Sequence, residues 1–157
     1  MTKRRITAIV NHWSDTNKHS TVEDIRQIHL NKGWRDIGYH RVILHPESDQ
    51  FRTPPKTWSD LVKLGRELDD DLYLEDQEVG AHCYGHNTNS VGICTIGMPG
   101  QPLHSLQREA IINTNKIFLV RYKLKMSALV GHRDFYATQC PGNEIYNVLQ
   151  QIKKGVL

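Results

Sequence analysis

Apolar residues change their spacing along the chain in a way that separates strands from helices. Residues 6–13, Ile-Thr-Ala-Ile-Val-Asn-His-Trp, form a short β-branched run that predicts a strand with His12 at its carboxyl end. Ser20-Thr21-Val22-Glu23 has the form of a capping box with Ser20 as N-cap. Val22, Ile25, Ile28 and His29 follow at helical spacing, which predicts a helix over 21–31 that stops at Gly33. A second strand is expected over 38–44, ended by His45-Pro46 and carrying Tyr39 near its start. Segment 46–80 is harder to read; it offers a short helix at 58–67 and an acidic run from Glu67 to Asp71 that reads as a solvated face.

The second half is more regular. Val91 to Gly97 predicts a buried strand entered from the polar loop 85–90 and left through Pro99-Gly100, its glycines marking close backbone approach. Leu106, Ala110, Ile111, Ile117, Phe118 and Val120 suit one long helix over 105–122. A fourth strand at 127–132 ends in His132, and Asn143 caps a last helix with Ile145, Val148, Leu149 and Ile152 on its inner face. Strands alternating with helices predict an α/β fold in which a mixed central sheet is flanked by helices.

Length and composition narrow the class. A chain of 157 residues is the size of one domain, and 38% hydrophobic with 24% charged residues suits a folded one. The net charge of +3 lacks the dense basic stripe that would make nucleic acid the leading partner. The apolar stretch after Lys3-Arg4-Arg5 is broken by Thr7 and ends at Asn11-His12, so neither a secretory signal nor a membrane span is expected. Three cysteines argue against a disulfide framework and leave thiol or metal chemistry open; Cys83 and Cys94 read as small buried hydrophobes. The nine histidines are the more unusual feature.

Three soft-ligand positions, His12, His132 and Cys140, stand at strand ends or just past them, where they can converge on one edge. Two imidazoles and a thiolate suit zinc, and three protein ligands leave a fourth tetrahedral position for water. Spacing alone is weak support in a chain with this many histidines, and neither a His-Glu-x-x-His helix nor a Cys-x-x-Cys pair is present.

The motifs taken together say more. Asn11-His12-Trp13, the stretch Trp34 to His40 with Gly38-Tyr39-His40, Gly80-Ala81-His82, the loop and strand from Gly85-His86-Asn87 to Ile93, and Gly131-His132-Arg133-Asp134 through Thr138-Gln139-Cys140-Pro141-Gly142 occur in that order. They resemble the successive signatures of zinc-dependent N-acetylmuramoyl-L-alanine amidases, a superfamily that includes amidase-type phage lysozymes and peptidoglycan recognition proteins. The resemblance implies one amidase domain over 1–157 with no separate wall-binding domain, and Zn2+ as cofactor. It implies that His12, His132 and Cys140 are the metal ligands and that Tyr39 and Thr138 support the oxyanion. Trp13, His82, His86 and Arg133 match recurring positions and are expected substrate contacts, with support of the ligands from behind as the alternative for His82, His86 and Arg133.

The departures are informative. Thr138 stands where some phage members carry a lysine, so the oxyanion would gain a hydrogen bond but no positive charge. Cys94 stands where a wall-recycling branch has a glutamate base, and Cys140 where that branch has an aspartate. Both differences point to the phage branch and leave Tyr39 as the better candidate for handling the proton. The expected activity is hydrolysis of the amide between N-acetylmuramic acid and L-alanine in peptidoglycan, with the protein held in the host cytoplasm until the membrane is breached and then acting on the wall. Two other readings follow from the same resemblance: a peptidoglycan-binding module without catalysis, and an added role as an RNA polymerase inhibitor.

Overall fold

Ile9 and Val10 make residues 8–13 extended, and their side chains alternate between two covered faces, so this strand can only sit inside a sheet. The computed structural model describes residues 2–66, 69 and 71–157. In chain order the elements are β1 (Arg4–Arg5), β2 (Ala8–Trp13), α1 (Val22–Asn31), β3 (Arg41–Ile43), β4 (Val62–Leu64), β5 (Tyr73–Leu74), β6 (Ser90–Thr95), α2 (Ser105–Arg121), β7 (Leu129–Gly131) and α3 (Asn143–Lys153). The main sheet has the order β4-β3-β6-β2-β7; its inner pairings are parallel and β4 is antiparallel to β3. The mixed sheet flanked by helices agrees with the pattern in the sequence.

Each face of the sheet is covered differently. Ile9, Ile43, Val91, Ile93 and Leu129 pack against Ala110, Ile111 and Phe118 of α2 and Ile145, Val148, Leu149 and Ile152 of α3. Full burial of each such side chain contributes roughly 1.5–3 kcal/mol, which is why α3 needs only one apolar stripe to dock. Val22 and Ile25 of α1 cover a smaller cluster with Ile37, Val42, Leu44 and Ile96 on the opposite face. That smaller cover leaves part of the face open at the carboxyl ends of β2 and β7, the end of a parallel sheet where ligands bind. No helix among the described residues is long and apolar enough to cross a membrane.

Several boundaries differ from expectation for identifiable reasons. The N-cap of α1 is Thr21, which shares a capping box with Asp24, while the Ser20 carbonyl accepts from the Ser48 hydroxyl. Asn143 is the first residue of α3 rather than its cap, because its side-chain oxygen accepts from Arg133 and Gly142 takes the cap position. Of the helix expected at 58–67, residue 67 lies outside the described residues and the rest begins as a single 3-10 turn, Trp58–Leu61, followed by the edge strand β4; pairing with β3 outweighs a weak helical period. The strands expected at 38–44 and 127–132 are confined to β3 and β7, the latter entered through a 3-10 turn at Met126–Ala128. Of the acidic run, residues 67, 68 and 70 lie outside the described residues.

Candidate metal centre and substrate cleft

The last residues of β2 and the segment after β7 bring three ligand-type side chains together. His12 is 2% exposed, and its ring lies 4.7 Å from that of His132, which opens a 3-10 turn, His132–Asp134. Asp134 fixes that turn: one carboxylate oxygen accepts from the Gly131 amide and the other from the Tyr146 hydroxyl of α3. Cys140 is held by its amide, which donates to the Thr138 hydroxyl, and by its carbonyl, which accepts from the Arg133 amide. Its Sγ lies 3.7 Å from His12 Nδ1.

The ligand atoms of His12, His132 and Cys140 all fall within 4.8 Å of one another, and among the described residues no other trio of histidine, cysteine or carboxylate groups has this arrangement. Tetrahedral bonds of about 2.0–2.3 Å to zinc would set such atoms roughly 3.3–3.8 Å apart, so the trio fits the ion with small adjustment. The chemistry of the donors also fits. Burial, with His82 and His132 nearby, holds His12 well below the usual histidine range, and burial lowers His132 as well, so both rings offer lone pairs. Burial pushes the Cys140 thiol up to about 11, a cost that a bound dication would reverse by stabilising the thiolate.

Two glycines make the geometry possible. A Cβ on Gly92 of β6 would stand 2.6 Å from the His82 ring, and one on Gly142 would stand 2.7 Å from the Trp13 ring. Gly142 also has φ +84°, a conformation other residues adopt only with strain. Both rings therefore rest directly on backbone.

Above the trio lies an open cleft of about 590 Å³ lined by His12, Trp13, Tyr39, His82, His132 and Cys140. The Tyr39 ring is 5.2 Å from the His12 ring. Burial above all, then the neighbouring Cys94 and Cys140 thiols, holds the Tyr39 phenol well above its usual range, so it stays protonated and has a proton to donate at neutral pH. Cys94 is fully buried beneath, paired across the sheet with His12, and its thiol is pushed up by burial, which makes it no substitute for a general base.

The remaining expected residues separate. Thr138 and Arg133 line an adjoining cavity, and Trp13 borders both. Thr138 is exposed with its oxygen accepting from Cys140, which leaves its own proton free to donate. The Arg133 guanidinium binds the Asn143 side chain and the Gln139 carbonyl and covers the Tyr146 ring at 4.6 Å. His86 lines neither cavity; it stacks on Phe135 at 3.8 Å and so joins the loop before β6 to the segment after β7. His82 lines the cleft but is 8% exposed, with Nδ1 3.0 Å from His12 Nε2.

Sequence reasoning missed much of the cleft wall. Trp34, Tyr84 and Tyr136 line it, Tyr84 with 83% of its surface exposed, and His29 and Lys32 approach from α1 and its end. The aromatics were inside or beside the motifs quoted above, and an exposed aromatic on a motif loop was the signal available for them.

Comparison with known proteins agrees with the family and the fold. The family model for N-acetylmuramoyl-L-alanine amidase matches residues 2–143. The endolysin of Klebsiella phage KP32 is 30% identical over 129 residues, covering 79% of this chain and 71% of that one. Among solved structures, the N-acetylmuramoyl-L-alanine amidase LysC from Clostridium intestinale superposes with a TM-score of 0.72 at 24% identity over 97% of this chain and 87% of that one. Bumblebee PGRP-SA superposes with a TM-score of 0.68 at 22% identity over 95% and 85% of the two chains. At these identities the structural matches show a shared fold.

Proposed function

The chain belongs to the N-acetylmuramoyl-L-alanine amidase family, and from that premise we propose that it is a zinc hydrolase cutting the amide between the lactyl group of N-acetylmuramic acid and L-alanine of the stem peptide. Its role as a peptidoglycan amidase of endolysin type follows from the family and from its phage relatives. The observation that carries the zinc mechanism is the convergence of His12, His132 and Cys140 on the floor of an open, aromatic-walled cleft.

Zinc held by His12 Nδ1, a ring nitrogen of His132 and Cys140 Sγ would supply Lewis-acid polarisation and a bound water of pKa about 7. The side chains around it divide the rest of the work. Trp34, Tyr84 and Tyr136 give the glycopeptide flat apolar surfaces on the cleft wall. The Tyr39 phenol donates a hydrogen bond to the oxygen on which charge develops, and the Thr138 hydroxyl supports it from the side of the adjoining cavity. Neither brings a positive charge, so most of that burden would fall to a metal held by His12, His132 and Cys140. As the name of its phage relatives implies, the protein acts on the wall once the host membrane is breached.

A binding module without catalysis is the weaker reading, because Cys140 is present, buried and turned toward His12. No observation favours a polymerase partner over the wall. The metal assignment is tested by elemental analysis of the purified protein and its variants. About one zinc per chain is expected. Cys140→Ala should lose the metal, and Cys83→Ala should keep it; full activity in metal-free protein, or equal loss in both variants, would overturn the assignment.

A further inference from the structure

The ring behind His12 has the unused chemistry. His82 Nδ1 faces His12 Nε2 at 3.0 Å, and His82 Nε2 faces the Ser90 hydroxyl at 3.4 Å. That hydroxyl lies 2.6 Å from the His86 carbonyl. Ser90 is 0% exposed, so its hydroxyl is shielded from bulk water. The His82 ring rests on Gly92, and its backbone is pinned where the Asn87 side-chain oxygen accepts from the amides of residues 82 and 83, each at 2.8 Å.

Proton counting gives this chain a direction. A carbonyl can only accept, so the short bond to His86 takes the single proton of the Ser90 hydroxyl. Toward His82 the Ser90 oxygen can then only accept, which places the His82 proton on Nε2 and makes Nδ1 an acceptor. His12 must answer with a proton on Nε2, and its Nδ1 is left as a bare lone pair facing Cys140. The opposite direction would put a proton on His12 Nδ1, where it would block the metal position.

We propose that His82 is a positioning residue: backed by Ser90, it fixes His12 in the Nε2–H tautomer and aims the Nδ1 lone pair at the metal position beside Cys140 and His132. This rests on the metal reading given above. It also replaces the expectation that His82 contacts substrate, because both ring nitrogens already have partners inside the protein. Groups that hold a metal-bound histidine from behind set its ring orientation and basicity, and their loss typically lowers metal affinity about 10- to 100-fold.

Two measurements on the full chain test it. In metal-free protein, long-range 1H–15N correlation of labelled histidines should show His12 with its proton on Nε2, and Ser90→Ala should raise the Nδ1–H population. A parent His12 carrying its proton on Nδ1 overturns the proposal. Competition with a chromophoric chelator should show His82→Leu binding zinc about 10- to 100-fold more weakly, and His82→Asn, whose amide oxygen can accept from His12, should recover most of that loss. Unchanged zinc affinity in a folded His82→Leu protein with a raised KM would return His82 to the substrate contacts. A parent protein that takes up no zinc overturns the metal reading instead, and the His12 tautomer in the same sample still decides whether His82 and Ser90 set the ring.

Discussion

Replacing Tyr39 by Phe removes one oxygen and leaves the ring packed beside His12. Losing a preorganised donor to an oxyanion typically costs about 100- to 1,000-fold in turnover, so Tyr39→Phe should fall by that order with zinc content unchanged. Thr138→Val should cost less, because the Thr138 side chain is exposed and lies on the adjoining cavity. Steady-state turnover of muropeptides checks both; a Tyr39→Phe enzyme within about twofold of the parent would remove Tyr39 from the chemistry. The trio was legible through the order of the family motifs that carry His12, His132 and Cys140, since spacing alone was weak support among nine histidines. The jobs of His82, His86 and Arg133 were not legible. Their roles depend on ring direction and on which neighbour takes each proton, and spacing along a chain carries neither.

At the scale of elements, a close joint lies between the cap of α3 and the end of β2. Gly142 has φ +84°, and an added Cβ would meet the Trp13 ring at 2.7 Å. With ψ 156° as well, the residue occupies an extended positive-φ region essentially reserved for glycine, which costs another residue roughly 1–3 kcal/mol, so Gly142→Ala should destabilise the fold by at least that order and displace Trp13. Urea unfolding followed by tryptophan fluorescence reads both effects; a variant as stable as the parent with unchanged emission would show that the joint is looser than described. The strands β2 and β6 were legible because burial dictates their residues; α2 was read on Leu106, Ala110, Ile111 and Phe118 together with Ile117 and Val120, and the last two are exposed while Gln107, Thr114 and Asn115 are buried in their place. The edge strand β4 and the pair β1 and β5 were not, since strands of two or three residues hold their place by pairing with distant partners.

Across the whole molecule, buried histidines link stability to pH. His40 is fully buried, its Nδ1 accepting from the Gly92 amide and its Nε2 donating to the Glu78 carbonyl, and burial lowers its pKa to about 4. The unfolded chain, with histidine near 6.5, binds the proton more readily. Stability from this group is therefore complete above pH 6.5 and lost as pH falls toward 4, at up to about 1.4 kcal/mol per pH unit. Urea unfolding between pH 7 and 4 should show that fall in the parent and a slope shallower by about one proton in His40→Gln. Equal slopes would mean that His40 does not contribute. The order of the motifs along the chain made the family and the fold readable, and the chemistry follows from where the fold brings them together. The central claim is the bond that is cut, and mass spectrometry of purified muropeptides after incubation with the protein reads it directly. Free stem peptides beginning at L-alanine, alongside intact glycan bearing unmodified lactyl groups, are the expected products; cleavage between sugars or within the stem peptide would contradict the account.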